Sequence, residues 1–373
     1  MDAKETFKII ADLLTGQSPS LLSGLRFEPP PSIEDPNHLY LAFDSSIDEP
    51  YGRACCSLNA QSDVVLGLSD LGNHQYDAGM VNNNDGYVYT KNGGIVDIGH
   101  VRDLADKTRF IAVKVYDQLK NDFTLHLEEE FGGEPKVTFV QTPDPPDMKV
   151  HIELAASLGA RIAYELAIWH EIVTWFWSDS AFQKESAFSP EDNFSNLLGT
   201  YIGYQAILTP NKDYNSAVDD VLKNTLIDLG AMSKNVTQKA IEYVEDHWFS
   251  RAQNWKKWGT TYRRHLKPLP SVTPWLITDV VVEGKKQELK WLQDQCDGQP
   301  PAMTIHVPTH LIDDRLLTDF YSLEFEIESL KQGLKDFLSS LPVPILGPSF
   351  TMLVDELRIE ILKEYPNGDK PDK

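Results

Sequence analysis

The segment Ala160–Phe176, ARIAYELAIWHEIVTWF, places four ionisable side chains in the middle of an otherwise apolar helix. These side chains are Arg161, Glu165, His170 and Glu171. Burying such groups costs free energy unless they are paired, hydrogen-bonded or bound to a metal. The segment therefore predicts either an internally neutralised core helix or one wall of an active site.

Helical spacing divides these side chains between two faces. Glu165 falls in an apolar stripe, and Arg161 lies one turn before it, so we expect the two to pair. His170 and Thr174 share a second stripe whose other residues are small, which leaves space for a ligand. Glu165 and His170 are separated by roughly 140° around the helix, so they are not expected to hold one ion. We assign Arg161 and Thr174 to substrate binding.

A second candidate is His100, in the segment Gly93–Asp106, GGIVDIGHVRDLAD. A predicted strand delivers this histidine to the start of a helix, where it can point into a cleft. Asp97 or Asp103 would fix its tautomer, and Arg102 would bind an anionic substrate group. The alternative is that His100 only caps or packs at the junction.

His170 and Glu171 resemble the first half of the zinc-binding pattern H-E-x-x-H, in which two histidines one turn apart bind the metal. Thr174 stands where the second histidine would be, so the pattern is broken. Our leading hypothesis supplies the missing ligands from other segments: a divalent metal, zinc or iron, held by His100 and His170, with His74 as a third ligand. Glu171 would then be the general base. The candidate catalytic residues are Glu171, Glu165, Arg102 and Asp103.

Two other hypotheses remain open. Cys56, with His100 as base and Asp103 to orient it, would form a thiol acyl-transfer site. A lone cysteine is more often a small core residue. The other hypothesis is a non-catalytic binding or scaffold protein, in which the ionisable side chains of the central helix form buried structural networks.

Ser189-Pro190-Glu191-Asp192 is typical of a helix start, with Ser189 as the N-cap and Asp192 as the capping-box acid. Because Asp192 follows Ser189 by three residues, helix capping alone is enough to explain an acid at this position. We add it to the candidate substrate-binding residues because of its place beside the other polar segments.

Composition limits the classes of partner. The chain has 373 residues, a net charge of −22 and 41% hydrophobic residues. This charge argues against binding to nucleic acid or to an anionic membrane, and leaves a small-molecule substrate, a homo-oligomer or a partner subunit. Three cysteines fit a reducing compartment, and Met1–Gly16 lacks the features of a signal peptide. We therefore expect a cytoplasmic protein.

The pattern of elements predicts an α+β fold that is predominantly helical. A small β-containing N-terminal part, residues 1–146, would pack on a larger helical part, residues 147–373, as one compact unit with a single site. The hairpin signals lie at Tyr87–Thr90 and Ile95–Ile98. The predicted helices are Val101–Asn121, the central helix from Met148, Phe194–Tyr204, Ala217–Leu229, Val236–His265, Ile312–Leu341 and Phe350–Glu364, followed by a frayed tail, Pro366–Lys373.

The long motifs together resemble a bacterial family catalogued as domain of unknown function 4056. The similar segments are Cys55-Cys56, LGNHQY around His74, Gly86–Asp106, Arg161–Trp175, Ser186–Gly199 and, more loosely, Tyr262–Ile277. The resemblance implies that His100, Arg102, Asp103, Glu165, His170, Glu171 and the turn Ser189–Asn196 lie close together. It does not supply a reaction.

The sequence departs from these relatives in two respects. Many of them resemble exported lipoproteins, and they tend to carry a cysteine where this chain has Lys91. In such relatives that cysteine would bridge to the Cys55-Cys56 pair, which makes the pair here the remnant of a structural disulfide. A cytoplasmic member of an exported family suggests recruitment to a biosynthetic pathway.

Overall fold

The computed structural model describes residues 24–29, 46–52, 58, 64–77, 84–128, 134–140, 148–176, 181–251, 259–309, 316–325, 332–340 and 350–372. Within them, most of the regular structure is helical. The helices are α1 Ile98–Gln118, α2 Met148–Trp175, α3 Ala181–Ser186, α4 Asp192–Ile207, α5 Tyr214–Asp228, α6 Lys234–Val244, α7 Lys286–Gln295, α8 Gln332–Ser340 and α9 Phe350–Glu364. The strands are β1 Tyr87–Thr90, β2 Gly94–Asp97, β3 Phe123–His126, β4 Pro135–Phe139, β5 Ser271–Val272, β6 Ile305–His306 and β7 Tyr321–Phe325.

The core is built on three mutually packed helices, α1, α2 and α4. Glycines at two of the contacts let the backbones approach closely. A Cβ at Gly159 of α2 would lie 2.5 Å from the carbonyl oxygen of Thr108, and one at Gly199 of α4 would lie 2.5 Å from that of Val101. α1 is therefore packed closely on two sides, against α2 at Thr108 and against α4 at Val101.

A short hairpin leads directly into α1. Strands β1 and β2 pair antiparallel, with Tyr87 opposite Asp97 and Thr90 opposite Gly94. β2 ends at Asp97, and α1 begins at the next residue because the Asp97 side chain caps it. This junction places the first turn of α1, including His100, beside α4.

The remaining strands form two small antiparallel sheets. In one, β4 lies between β3 and β7, with Phe139 opposite Tyr321. In the other, β5 pairs with β6. The sheet that contains β7 joins residues far apart in the chain and brings Tyr321 to the side of α2.

These elements confirm the α+β, predominantly helical fold class. The hairpin, the start of α2 and the bounds of α9 agree with the sequence prediction to within one residue. None of the described helices combines the length and the apolar character needed to cross a membrane.

The predicted helix Val236–His265 is wrong over most of the part that the structure describes, residues 236–251 and 259–265. α6 ends at Val244, and Asp246 adopts a positive φ of 65°. The chain then turns so that Phe249 pairs with Thr261 as an isolated bridge. Burial of Trp248 and Phe249 in a second apolar cluster outweighs their helical pattern.

The predictions for the C-terminal third also need correction. A strand, β7, occupies part of the predicted helix Ile312–Leu341, because its alternating buried residues pair with β4. The tail is attached to the protein through its described part, residues 365–372. The carbonyl oxygens of Asn367, Gly368 and Pro371 accept hydrogen bonds from the Arg263 guanidinium, the Arg264 backbone and the Trp248 indole.

Candidate functional site

A pocket of about 130 Å³ lies between α1 and α2 and is closed by α4. Its walls combine acidic, basic and small apolar side chains. The lining residues are Gly52, His100, Asp103, Leu104, Lys107, Ala163, Leu166, Ala167, His170, Glu171 and Asn196.

The pocket is a slot that runs along α1. Gly159 packs on Thr108 and Ala112 at the middle of both helices. His151, near the start of α2, lies with its Nε2 3.1 Å from the carbonyl oxygen of Tyr116, near the end of α1, so the two helices are antiparallel. Glu171 therefore faces the His100 end of the slot. Lys107 marks the other end, roughly 10 Å away at the ordinary helical rise.

His100 is held by the strand-to-helix junction. One oxygen of Asp97, Oδ1, accepts from the backbone N–H groups of Gly99 at 2.7 Å and His100 at 3.3 Å. The other, Oδ2, lies 3.1 Å from His100 Nδ1. The second ring nitrogen, Nε2, lies 3.9 Å from Oδ1 of Asp192. His100 is thus placed between two carboxyl groups.

The turn before α4 supplies further acids. Ser189 Oγ donates to Glu191 Oε2 at 2.7 Å, and Ser189 N donates to Asp192 Oδ2 at 2.8 Å. On the facing helix, Glu171 Oε2 accepts from Phe188 N at 2.6 Å. Among the described residues, no lysine or arginine lies within ion-pair distance of these three carboxyl groups.

Burial changes the protonation of two of these acids. It raises the pKa of Glu191 to about 8, and the negative charge of Asp97 adds to the effect. Burial also raises the pKa of Asp192 well above its ordinary value, with further contributions from the charges of Glu171 and Glu191. Glu191 therefore favours the neutral, proton-carrying form at neutral pH. Asp192 keeps its proton to a higher pH than an ordinary aspartate, so both groups are suited to act as acids.

The Ser-Pro-Glu-Asp turn caps α4 differently from the predicted arrangement. The helix begins at Asp192, and Asp192 accepts from the backbone of Ser189 as the capping-box prediction requires. The Ser189 hydroxyl, however, donates to Glu191 instead of capping the helix. This turn buries a second acid, Glu191, beside Asp192.

The structure brings together some of the predicted site residues. His100, Asp103, His170 and Glu171 line the pocket, and Asp192 lies directly behind His100. Thr174 is buried on α2 but is not part of the lining. Cys56 lies outside the described residues.

Arg161 and Glu165 form the predicted pair, away from the pocket. Arg161 NH2 lies 2.7 Å from Glu165 Oε1, and the Tyr321 hydroxyl donates to Glu165 Oε2 at 2.7 Å. Arg161 NH1 also donates to the carbonyl oxygen of Pro308 at 3.2 Å. This network joins α2 to β7, and none of its residues lines the pocket.

Arg102 is fully buried on another side of α1. Its guanidinium donates to Asp85 Oδ1 at 3.0 Å and to the carbonyl oxygen of Leu71 at 2.5 Å. It therefore fastens the preceding loops to α1, and the structure does not bring it to the expected anion-binding position.

His74 is likewise separate from His100 and His170. Its Nε2 lies 2.9 Å from Asp106 Oδ1, and Asp219 accepts from its backbone N–H at 2.7 Å. Asp106 is six residues after His100, which places it about 120° away around α1. Within the described parts of the chain, no three His, Cys, Asp or Glu side chains are grouped as metal ligands.

Three site residues were absent from the predicted set: Glu191, Asn196 and Lys107. The family resemblance places the turn Ser189–Asn196 near the site, but the capping pattern assigns no chemical role to Glu191 or Asn196. Asn196 follows Asp192 by one turn, and Lys107 follows His100 by two turns, so helical spacing places them on the same faces. That spacing was the available signal.

The comparisons with known proteins agree with the motifs. The family described as "Protein of unknown function (DUF4056)" matches residues 58–272, more than half of the chain. The chain belongs to this family. No curated protein and no solved structure matches it. The matched region contains the whole pocket lining except Gly52.

Proposed function

We propose that this protein is an enzyme that moves protons to and from a small polar substrate in the His100 pocket. The observation that carries the proposal is the arrangement of His100 between Asp97 and Asp192 at the end of that pocket. Groups with shifted protonation that meet in a cleft are typical of catalytic sites.

The roles follow from the geometry. Asp97 beside Nδ1 favours the tautomer that carries its proton there, so Nε2 is left to accept a proton from the substrate. The 3.9 Å between Nε2 and Asp192 Oδ1 exceeds a direct hydrogen bond, and a substrate O–H or N–H group that lies beside the two would reach both. Asp192, protonated, gives its proton to the leaving group. Hydrolysis, elimination and acyl transfer all use such a pair.

A metal-assisted version is the second candidate. His100 and His170 line the same pocket beside Glu171, which favours a zinc or iron ion on the two histidines with Glu171 as the general base. Elemental analysis of untagged protein and of His170→Ala separates the versions. Near-stoichiometric metal that is lost in the variant supports the metal-assisted one.

The cellular setting belongs to the same proposal. We infer a cytoplasmic enzyme from the three cysteines, which fit a reducing compartment. A role in a biosynthetic pathway follows from the contrast between such a protein and its exported relatives.

The direct test is turnover. The purified chain is screened against small esters, amides, amino acids and hydroxy acids, and any activity is repeated with His100→Ala and Asp192→Asn. We expect each variant to lose at least about 100-fold, the usual contribution of a general acid or base. His126→Ala is the matched control, because His126 is exposed and pairs with Glu134 outside the pocket. Unchanged turnover in His100→Ala would refute the proposal.

A further inference from the structure

Hydrogen-bond acceptors outnumber donors at the His100 end of the pocket. Asn196 is 2% exposed and lines the pocket, and its Oδ1 has no hydrogen-bond partner among the described residues. Behind His100, Glu191 Oε1 is buried in the same condition. A buried acceptor without a donor is unfavourable, so in native proteins a bound water, an ion or a ligand satisfies it.

Acidic groups outnumber basic groups at this end. Glu171, Glu191, Asp192 and Asp97 meet there, and the basic side chains beside them within the described residues are the histidines His100 and His170. Buried acids require a counter-charge or protonation. A cationic ligand supplies the counter-charge in place of protons, and it also supplies the missing donors.

The opposite end of the slot is different. Lys107 lines it, and its ammonium group lies 3.1 Å from Glu49 Oε1. The other acid of the lining, Asp103, lies on the same helix between His100 and Lys107. A cationic ligand is therefore repelled by the ammonium group of Lys107 and attracted to the acids near His100.

The walls between the two ends limit the size of the ligand. They are formed by Leu104, Ala163, Leu166 and Ala167. The volume of about 130 Å³ is well below the roughly 300–1,000 Å³ of pockets for drug-sized molecules. These dimensions suit a short aliphatic chain.

We propose that the pocket takes a small substrate with a protonated amine or amidine group, which binds at the His100 end and donates a hydrogen bond to Asn196. The inference rests on the proposed function only in treating the pocket as a substrate site. Asn196 is thereby a specificity residue, which neither the family description nor the motif analysis assigns.

The test compares three probes of nearly equal size: propylammonium, 1-propanol and propionate. Binding to the metal-stripped full chain is measured by saturation-transfer NMR at pH 7. We expect saturable binding of propylammonium, at least about tenfold tighter than that of either other probe, because a hydrogen bond to a charged group is among the stronger ones. Equal or tighter binding of propionate or 1-propanol, or no binding of propylammonium, would overturn the proposal.

Variants of α4 locate the binding. Asn196→Leu should weaken propylammonium binding at least about tenfold, and Asn196→Asp, which keeps an acceptor, should retain or strengthen it. Thr200→Val is the matched control, because Thr200 is buried one turn further along and its hydroxyl donates to Leu197 O. Loss of binding in Asn196→Asp, or its survival in Asn196→Leu, contradicts the assignment.

Two further outcomes separate this inference from the others. Propylammonium binding in a protein whose turnover survives His100→Ala would refute the proposed function and leave the ligand class standing. Stoichiometric zinc that displaces propylammonium from both the native chain and Asn196→Leu would show that the cation is a metal, and would overturn the inference.

Discussion

Glu165 and Glu171, two of the buried carboxyl groups on the central helix α2, have opposite surroundings. Glu165 is balanced by Arg161 and receives a hydrogen bond from Tyr321, both at 2.7 Å. Glu171, six residues further along, accepts from a backbone N–H and faces other acids. The two side chains point about 120° apart, so one helix separates two environments.

The difference indicates what each region does. A buried charge with a complete set of partners stabilises one arrangement of the chain, and removing a partner is costly. Buried acids that lie together without a lysine or arginine partner are typical of sites at which such groups bind and release protons. Of the two glutamates assigned to catalysis from the sequence, only Glu171 lines the pocket.

Removing the partner of Glu165 should cause the largest loss of stability. Arg161→Leu leaves the carboxylate buried without its cation, and we expect a loss of about 3–5 kcal/mol of unfolding free energy. Urea denaturation at pH 7 measures it. The double variant Arg161→Leu/Glu165→Leu is the control and should recover much of the loss. A cost below about 1 kcal/mol for the single variant would mean that solvent or other groups already compensate Glu165.

Local sequence pattern was enough to predict this pair. The interval of four residues brings Arg161 to Glu165 on any α-helix, and the apolar surroundings identified that helix. The same reasoning predicted the bounds of α9 and the hydrogen bond from the Ser189 backbone to Asp192, but not that the Ser189 hydroxyl donates to Glu191. It could not identify Tyr321 as a partner, because that contact depends on β7, a strand in a region predicted to be helical.

The buried acids near His100 predict that the stability of the fold depends on pH. Because the pKa of Glu191 is raised from 4.5 to about 8 in the folded chain, its proton stabilises the fold below pH 4.5, and this contribution is lost as the pH rises towards 8. Glu191→Gln keeps an acceptor for Ser189 and cannot ionise. We expect it to match the native chain at pH 4.5 and to exceed it by about 5 kcal/mol above pH 8, because each tenfold change in proton affinity is worth about 1.4 kcal/mol.

Urea denaturation from pH 4.5 to 8.5 checks this, with both proteins in the same buffers. Asp192 is present in both, so the difference between the curves reports on Glu191. Parallel curves would show that Glu191 titrates near its ordinary pKa and that the turn is more open to solvent.

The candidate site itself was only partly predictable. His100 and His170 come from α1 and α2, and their meeting depends on the antiparallel packing at Gly159. His74 and Arg102 carry equally suggestive side chains, but long-range contacts direct them to Asp106 and Asp85. Residue type selects candidates, whereas helix packing decides which of them share a pocket.

An exposed ion pair should stabilise the fold less than a buried one. Arg358 and Asp369 also form an arginine–carboxylate pair, with Nε 2.9 Å from Oδ2, and it helps to attach the tail that was predicted to fray. The Arg358 side chain is 38% exposed, compared with 12% for Arg161. Water already solvates part of that charge, so Arg358→Leu should cost only about 0.5–1 kcal/mol. Lys290→Ala, which removes an exposed pair with Asp294, gives the lower reference.

A cost for Arg358→Leu as large as that for Arg161→Leu would contradict the argument, because the chemistry of the two pairs is the same and their main difference is exposure. The expected ranking places Arg161 first, Arg358 second and Lys290 last. It would show that desolvation, more than the number of charged contacts, determines how strongly each pair holds the fold. By the same reasoning, the acids around His100, buried without a fixed cation, are the groups whose charge is left to be balanced by a proton or a ligand.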